Sequence, residues 1–144
     1  MMFTGTYAHT LDAKGRVFVP AKFREELGEN FIVTRGIGKC LFVFSSEMWL
    51  EFAGKMKSIP MTDSKGQVFL RMLFASAEEV KPDKQGRILL PARLREKAEM
   101  EKEVVAIGAM NRVELWSKEN WDNYCQEADE EFESVLAQLA ELGI

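Results

Sequence analysis

The chain has 144 residues, of which 47% are hydrophobic, 29% charged and 10% aromatic. This length fits one domain or two very small ones, and the apolar fraction is too high for a disordered chain. The two cysteines, Cys40 and Cys125, form no CxxC pair, and His9 is the single histidine. This composition argues against a disulfide framework, a thiolate zinc site and a catalytic triad.

Hydropathy and charge narrow the class further. No apolar run approaches the ~20 residues that cross a bilayer, and no signal-peptide pattern opens the chain, so we expect a cytoplasmic protein without a membrane partner. The net charge is −4, but residues 1–117 hold 18 basic and 15 acidic side chains, whereas residues 118–144 hold one lysine and eight acids. The acidity lies in the C-terminal segment, so the net charge does not exclude a nucleic-acid partner.

Local patterns predict strands and helices in an order that occurs twice. Short apolar or β-branched runs bounded by Gly, Pro and Asp predict strands, and longer runs with helical spacing after a Pro or Ser predict helices. The predicted strands are 7–11, 16–19, 31–35, 40–44, 77–81, 87–90, 103–109 and 112–116. Helices are predicted at 21–27, after Ser46, at 62–74, at 92–98 and after Ser117. The fold class is therefore α+β, mainly β with helices.

Two of these helices have an apolar face that we expect to be buried. In the helix after Ser46 this face includes Trp49, Leu50 and Phe52. In the helix at 62–74 the residues expected to point inward are Val68, Phe69, Met72 and Leu73.

An internal repeat organises the chain. Residues 12–25 (DAKGRVFVPAKFRE) align with residues 83–96 (DKQGRILLPARLRE), and seven of these fourteen positions are identical. Farther along, Trp49 aligns with Trp121. We expect a first repeat at 1–76 and a second at 77–144, the latter with an acidic C-terminal helix. A unit of about 45 residues is too small for its own core, so the two repeats should form one intertwined core.

The sharpest motif is Asp-x-x-Gly-Arg, which occurs as Asp12, Gly15 and Arg16, and again as Asp83, Gly86 and Arg87. An Asp at the start of a turn accepts hydrogen bonds from the following amides, and Gly permits a positive φ. The Arg is then aimed by a fixed turn, which favours recognition of a phosphate or a guanine edge. The alternative is an Asp–Arg salt bridge that only closes the loop, and the two interpretations are compatible.

Basic side chains surround this motif in both repeats. They are Lys14, Lys22 and Arg24 in the first repeat, and Lys84, Arg93 and Arg95 in the second. Clustered cations of this kind are typical of phosphate contact, although a solvated helix face would have the same composition. We find no catalytic residues, no metal ligands, and no sign of a cofactor or a small-molecule substrate.

With these residues in place, the chain resembles the MraZ family of bacterial transcriptional regulators. The resemblance is carried by the duplicated Asp-x-x-Gly-Arg string with its Pro-Ala and Arg-Glu continuation. It extends to Phe3-x-Gly5-x-Tyr7-x-His9 and to Glu114-Leu115-Trp116-Ser117. The resemblance implies a SpoVT-AbrB-type fold, a swapped-hairpin β-barrel flanked by helices, with both halves supplied by one chain.

The resemblance also implies a function. Members of the family bind repeated short DNA boxes upstream of the division and cell wall gene cluster, usually as repressors, and form ring-shaped homo-oligomers that are often octamers. The DNA contacts of the family map onto Arg16 and Arg87. Lys14 matches a further basic position of the family. The second repeat has Gln85 at that position, with Lys84 next to it. We therefore expect a nucleoid-associated regulator of double-stranded DNA. The alternative is a protein-binding module, antitoxin-like or enzyme-inhibiting, that uses the acidic C-terminal helix.

Overall fold

The computed structural model describes residues 2–144, which fold into eight strands and five helices. The first repeat contributes β1 (Thr6–Thr10), β2 (Arg16–Phe18), α1 (Ala21–Leu27), β3 (Phe31–Arg35), β4 (Cys40–Ser45), α2 (Ser46–Met56) and α3 (Ser64–Ala75). The second contributes β5 (Glu78–Val80), β6 (Arg87–Leu89), α4 (Ala92–Lys97), β7 (Glu103–Gly108), β8 (Val113–Ser117) and α5 (Lys118–Ala140). The structure is thus an α+β fold in which every strand pair is antiparallel.

The two repeats exchange strands. Six strands form one sheet in the order β1-β7-β8-β4-β3-β5, so that β1 pairs with β7 of the second repeat and β5 pairs with β3 of the first. The centre of the sheet is the pairing of β4 with β8, which are equivalent strands. Equivalent strands of the two repeats (β1 and β5, β3 and β7, β4 and β8) therefore lie at the same distance from opposite edges of the sheet.

The remaining strands, β2 and β6, form a two-stranded ribbon, one strand from each repeat. Val17 faces Ile88 at its middle, Arg16 faces Leu89, and Phe18 faces Arg87. Val17 and Ile88 are buried, whereas Phe18 and Leu89 are exposed. Because successive side chains of a strand point to opposite faces, one face of the ribbon joins the core and the other faces solvent.

Two apolar clusters cover the two faces of the large sheet. The first lies between the sheet, the ribbon and the short helices α1 and α4, which contribute Phe23 and Leu94. The second lies on the opposite face, where Trp49 of α2 and Trp121 of α5 pack against the cluster that contains Phe44 and Trp116. Because β4 and β8 are covered on both faces, every residue of both strands is buried.

Most predicted elements are confirmed within one or two residues. Serine side chains cap α2 and α5, since the Ser45 hydroxyl accepts a hydrogen bond from Met48 N (3.1 Å) and the Ser117 hydroxyl accepts one from Asn120 N (3.1 Å). Within residues 2–144, no helix has the length and apolar character of a membrane span.

The predicted buried faces of α2 and α3 are partly wrong. Leu50 is 71% exposed, and Val68, Phe69 and Met72 of α3 are exposed, whereas Leu73 is buried. The reason is that α3 contacts the body through a narrow line at its C-terminal end, where the Thr34 hydroxyl donates to the Leu73 carbonyl (2.6 Å). The apolar face of α3 is wider than this contact.

Substitutions on the two faces of the ribbon test which face contributes to the free energy of unfolding. We expect Ile88→Ala to lower the free energy of unfolding by about 3 kcal/mol, because it opens a cavity under the ribbon. Leu89→Ala, the next residue on the exposed face, should change that free energy by less than about 0.5 kcal/mol. Urea denaturation followed by far-UV circular dichroism measures both, and equal losses would contradict this assignment of faces.

Candidate nucleic-acid interface

Each Asp-x-x-Gly-Arg motif forms the same closed turn, and we call the two turns the arginine turns (residues 12–16 and 83–87). In the first, Asp12 Oδ1 accepts hydrogen bonds from Lys14 N and Arg16 N, both at 2.9 Å, and Oδ2 accepts one from Arg16 Nε at 2.7 Å. The turn is closed by Gly15 N donating to the Asp12 carbonyl (3.0 Å). A single carboxylate thus fixes both the backbone of the turn and the direction of its arginine.

The second arginine turn repeats this geometry. Asp83 accepts from Gln85 N and Arg87 N at 2.9 Å and from Arg87 Nε at 2.8 Å. These hydrogen bonds require the ionised carboxylate, and the pKa of both aspartates is lowered, first by the backbone N–H of the arginine and then by its side chain. The predicted role of Asp12 and Asp83 in fixing the turns therefore has a geometric basis.

The glycines of the arginine turns have positive φ, +85° at Gly15 and +83° at Gly86. Their missing Cβ also leaves room for an arginine of the other repeat. A Cβ at Gly15 would lie 2.6 Å from Arg95 Cζ, and one at Gly86 would lie 2.7 Å from Arg24 Cζ. Each guanidinium is held by its own repeat, since Arg24 Nε donates to the Val19 carbonyl (3.0 Å) and Arg95 Nε to the Leu90 carbonyl (3.1 Å).

Backbone hydrogen bonds join the arginine turns to the opposite repeat. Val19 N donates to the Gly86 carbonyl and Leu90 N donates to the Gly15 carbonyl, both at 3.0 Å. Sequence reasoning placed Arg24 and Arg95 only among the basic residues, because nothing local indicates that each packs over the turn of the other repeat. Their contribution to DNA binding stays a prediction.

The two motif arginines lie on the same outward face of the ribbon and are both paired with aspartate. The side chain of Arg16 is 30% exposed and that of Arg87 is 22% exposed; Arg87 Nη1 also lies 3.8 Å from Asp12 Oδ2. The salt bridge considered as an alternative is therefore present. It uses Nε, and within residues 2–144 Nη1 and Nη2 of Arg16 donate no hydrogen bond. The pair orients the arginine and leaves its terminal nitrogens free for a ligand.

The other predicted contact residues differ between the repeats. Lys14 and Lys84 are exposed on the arginine turns and form no ion pair with a described residue. Lys22 Nζ donates to the Thr4 hydroxyl (3.1 Å), a neutral partner. Its equivalent, Arg93, forms a salt bridge with Glu78 (3.0 Å). The first repeat therefore offers more unpaired positive charge than the second.

Sequence reasoning missed two residues on this surface, Phe18 and Leu89. Strand alternation places Phe18 on the face of Arg16 and Leu89 on the face of Arg87. The sequence does contain a signal for them, because alternate residues of a strand lie on the same face and each of the two residues follows a motif arginine by two positions. We call the four residues Arg16, Phe18, Arg87 and Leu89 the ribbon face.

Two ionisable groups outside the ribbon, Glu114 and Cys40, are buried and hydrogen-bonded. Glu114 is buried, accepts from Arg112 Nη2 at 2.7 Å and from Trp116 Nε1 at 3.1 Å, and thus offers no free carboxylate. Burial, and then the charge of Glu114, raises the pKa of the Cys40 thiol to about 12, so it is not a nucleophile. In the described part of the chain, no three His, Cys, Asp or Glu side chains form a cluster that could hold a metal ion.

The strand-exchanged α+β body presents two arginine turns on one ribbon, and the comparisons with known proteins place it among transcriptional regulators. A family model described as "MraZ protein, putative antitoxin-like" matches residues 2–72 and again residues 73–142. The chain belongs to the MraZ family of transcriptional regulators, and it contains two MraZ repeats.

Curated relatives extend the similarity over the whole chain. The transcriptional regulator MraZ of Carboxydothermus hydrogenoformans is 51% identical over 140 residues, which cover 97% of this chain and 98% of the relative. The proteins of the same name from a Thermoanaerobacter species and from Acetivibrio thermocellus are 51% and 50% identical over 143 residues, which cover 99% of this chain and 100% of each relative. The family resemblance is therefore confirmed.

The lowered pKa of Asp12 and Asp83 predicts an acid-sensitive interface. Because the folded pKa lies below the unfolded one, the stabilisation from these carboxylates is complete above an unfolded value of about 4 and is lost as the pH falls through the folded pKa. Carbon-detected NMR of the side-chain carboxyls should give midpoints below the ordinary aspartate value for both residues. In the Asp12→Asn, Asp83→Asn double variant, this part of the acid-induced loss of stability should be absent. Midpoints at or above the ordinary value would contradict the turn geometry.

Proposed function

We propose that this chain is a regulator that binds double-stranded DNA with sequence preference through the ribbon face and the arginine turns. The observation that carries the proposal is the pair of outward arginines, each held at Nε by an aspartate. Within residues 2–144 their Nη atoms donate no hydrogen bond, and the one ion pair they form is the 3.8 Å contact of Arg87 Nη1 with Asp12 Oδ2. An arginine fork held in this way suits bidentate contact with a guanine edge or a phosphate. Lys14, Lys84 and Lys22 add sequence-independent attraction to the backbone.

The proposed targets follow from the family resemblance. They are repeated short boxes upstream of the division and cell wall gene cluster, including the promoter of the chain's own gene, where binding represses transcription. A protein with such targets acts in the cytoplasm, associated with the nucleoid. The exchange of β1 and β5 between the repeats supports a SpoVT-AbrB-type swapped-hairpin barrel, with the repeats at 1–76 and 77–144 forming one intertwined core.

We further propose that the protein works as a ring-shaped homo-oligomer, such as an octamer. Support comes from large apolar side chains that the single chain leaves exposed, among them Val68 and Met72 on α3 and Phe132 and Leu136 on α5. A ring would repeat one modest DNA contact around its rim. Linked contacts raise affinity through effective concentration when the boxes recur at a matching spacing.

A specific observation keeps the protein-binding alternative open: α5 carries the acidic tail, and its C-terminal half exposes Phe132, Val135 and Leu136. Trp121 and Tyr124 also pack against the core, since their rings lie at centroid distances of 5.4 and 5.1 Å from Trp116, although Tyr124 is still 51% exposed. A truncation that removes them would damage the core, so the informative truncation ends after Glu127.

Arg16 provides the direct test of DNA recognition. We expect Arg16→Ala to weaken binding to DNA from upstream of the chain's own gene by about 1–3 kcal/mol, because one bidentate base contact is lost. Arg16→Lys should keep much of the attraction to unrelated DNA and lose the preference, because an ammonium lacks the planar fork. Fluorescence anisotropy at several salt concentrations measures both.

Arg71→Ala is the matched control for this test, since it removes an exposed arginine from α3, outside the proposed interface. It should leave the preference unchanged. The folding of Arg16→Ala should be intact, because Asp12 keeps its two backbone donors. An Arg16→Ala protein that still prefers the upstream DNA as strongly as the unmodified protein would refute the proposed role.

A reporter under the chain's own upstream DNA separates the two functions. We expect Arg16→Ala to abolish regulation of the reporter. Deletion of residues 128–144 should leave the preference for a duplex that contains one box within about twofold, because a single box is contacted by one ribbon face. The reverse pattern, regulation that survives Arg16→Ala and is lost with the tail, would support the protein-binding alternative.

A further inference from the structure

The ribbon face carries two large apolar side chains among its charges. Phe18 is 44% exposed and Leu89 is 57% exposed, whereas Val17 and Ile88 beside them are buried. The register places Leu89 opposite Arg16 and Phe18 opposite Arg87. Each exposed apolar side chain is therefore the cross-strand neighbour of a motif arginine, and this arrangement occurs at equivalent positions of both repeats.

An exposed apolar residue is ordinary when it stands alone. Here two such residues share one small surface with two oriented guanidinium groups, and the arginine turns add Lys14 and Lys84 at its edges. This combination of apolar and cationic groups determines the chemistry of an occupant, which must be polyanionic and must present small apolar groups between its acceptors.

We infer that Phe18 and Leu89 contact the 5-methyl groups of thymines in the major groove, next to the bases or phosphates that Arg16 and Arg87 contact. This inference rests on the proposed function, and it names Phe18 and Leu89 as residues that contribute to the base preference. A two-stranded β ribbon fits the major groove, and the thymine methyl is the apolar group that base edges present there. The inference also predicts a preference for DNA over double-stranded RNA, which contains uracil and has a major groove that side chains cannot read.

The two contacts are not equivalent. The Phe18 ring lies 6.2 Å from the imidazole of His9, which supports it from β1. The equivalent of His9 in the second repeat is Val80 of β5, which packs against the inner apolar cluster. Phe18 is thus the larger side chain, the less exposed of the two and the one with an aromatic neighbour, so we assign it the greater share of the methyl contact.

The test is a double-mutant cycle between protein and DNA. The probe is a duplex from upstream of the chain's own gene, synthesised enzymatically with either dTTP or dUTP, so that the two versions differ only in thymine methyl groups. Binding to both is measured for the unmodified protein, Phe18→Ala, Leu89→Ala and the double variant. The control is Leu50→Ala, which removes an apolar side chain that is 71% exposed from α2, outside the ribbon face.

We expect the unmodified protein to bind the thymine duplex about sixteenfold more tightly than the uracil duplex, since each of the two buried methyl groups contributes roughly fourfold. This ratio should fall to about three in Phe18→Ala, which loses the larger share, and to about one in the double variant, and it should stay near sixteen in Leu50→Ala. If Phe18→Ala fails to fold, the thymine-to-uracil ratio of Leu89→Ala still tests the methyl contact, because this ratio should fall below that of the unmodified protein.

Other outcomes would contradict the methyl contact or the proposed DNA-binding function on which it rests. If the unmodified protein prefers the upstream duplex over unrelated DNA but the double variant keeps the thymine-to-uracil ratio, the methyl contact is wrong and the proposed function stands. If the double variant instead changes the subunit number measured by native mass spectrometry and leaves the ratio unchanged, the two residues belong to a protein interface. If the unmodified protein shows no preference for the upstream DNA at all, the proposed function itself fails.

Discussion

The structure depends on the pairing of β2 with β6, which joins the two repeats at the surface that we propose binds DNA. A ribbon with three residues in each strand is too short to be stable alone. It is held by the burial of Val17 and Ile88 and by the carbonyls of Gly15 and Gly86, which accept hydrogen bonds from the opposite repeat. Neither repeat can therefore form the ribbon face without the other, and the position of the motif arginines is set by the core of the whole chain.

The Asp–Arg pairs fix the orientation of the motif arginine side chains. An isolated salt bridge this exposed contributes little to stability, so its main effect is geometric. Asp12 holds both the amide and Nε of Arg16, which restricts the side chain before any ligand arrives and lowers the entropy lost on binding. The same pairing cancels the charge of the motif arginines at long range. In the proposed function, the lysines at the edge of the ribbon face therefore supply the long-range attraction to DNA, and the motif arginines supply recognition at close range.

The sequence predicts what local chemistry determines, and it does not predict what the other repeat imposes. The turns, the caps at Ser45 and Ser117 and the length of α1 follow from side chains that hydrogen-bond or pack within a few residues. The packing of Arg24 over Gly86 joins residues far apart in the chain, and no periodicity indicates it. The apolar face of α3 was predicted to be buried because helical spacing shows that a face is apolar, not how much of that face the body covers.

The similarity of the repeats makes their differences informative. At matched positions the first repeat has Lys14, Phe18 and a Lys22 that is hydrogen-bonded to the neutral Thr4. The second has Gln85, Leu89 and an Arg93 that is neutralised by Glu78. The backbone has an approximate twofold axis, but the chemistry of the surface does not follow it. If the proposed contacts hold, the two halves of the ribbon face prefer different bases, and a single chain reads a directional site instead of a palindrome. Because identical copies around a ring would each present the same direction, such an assembly favours boxes repeated head to tail over inverted ones.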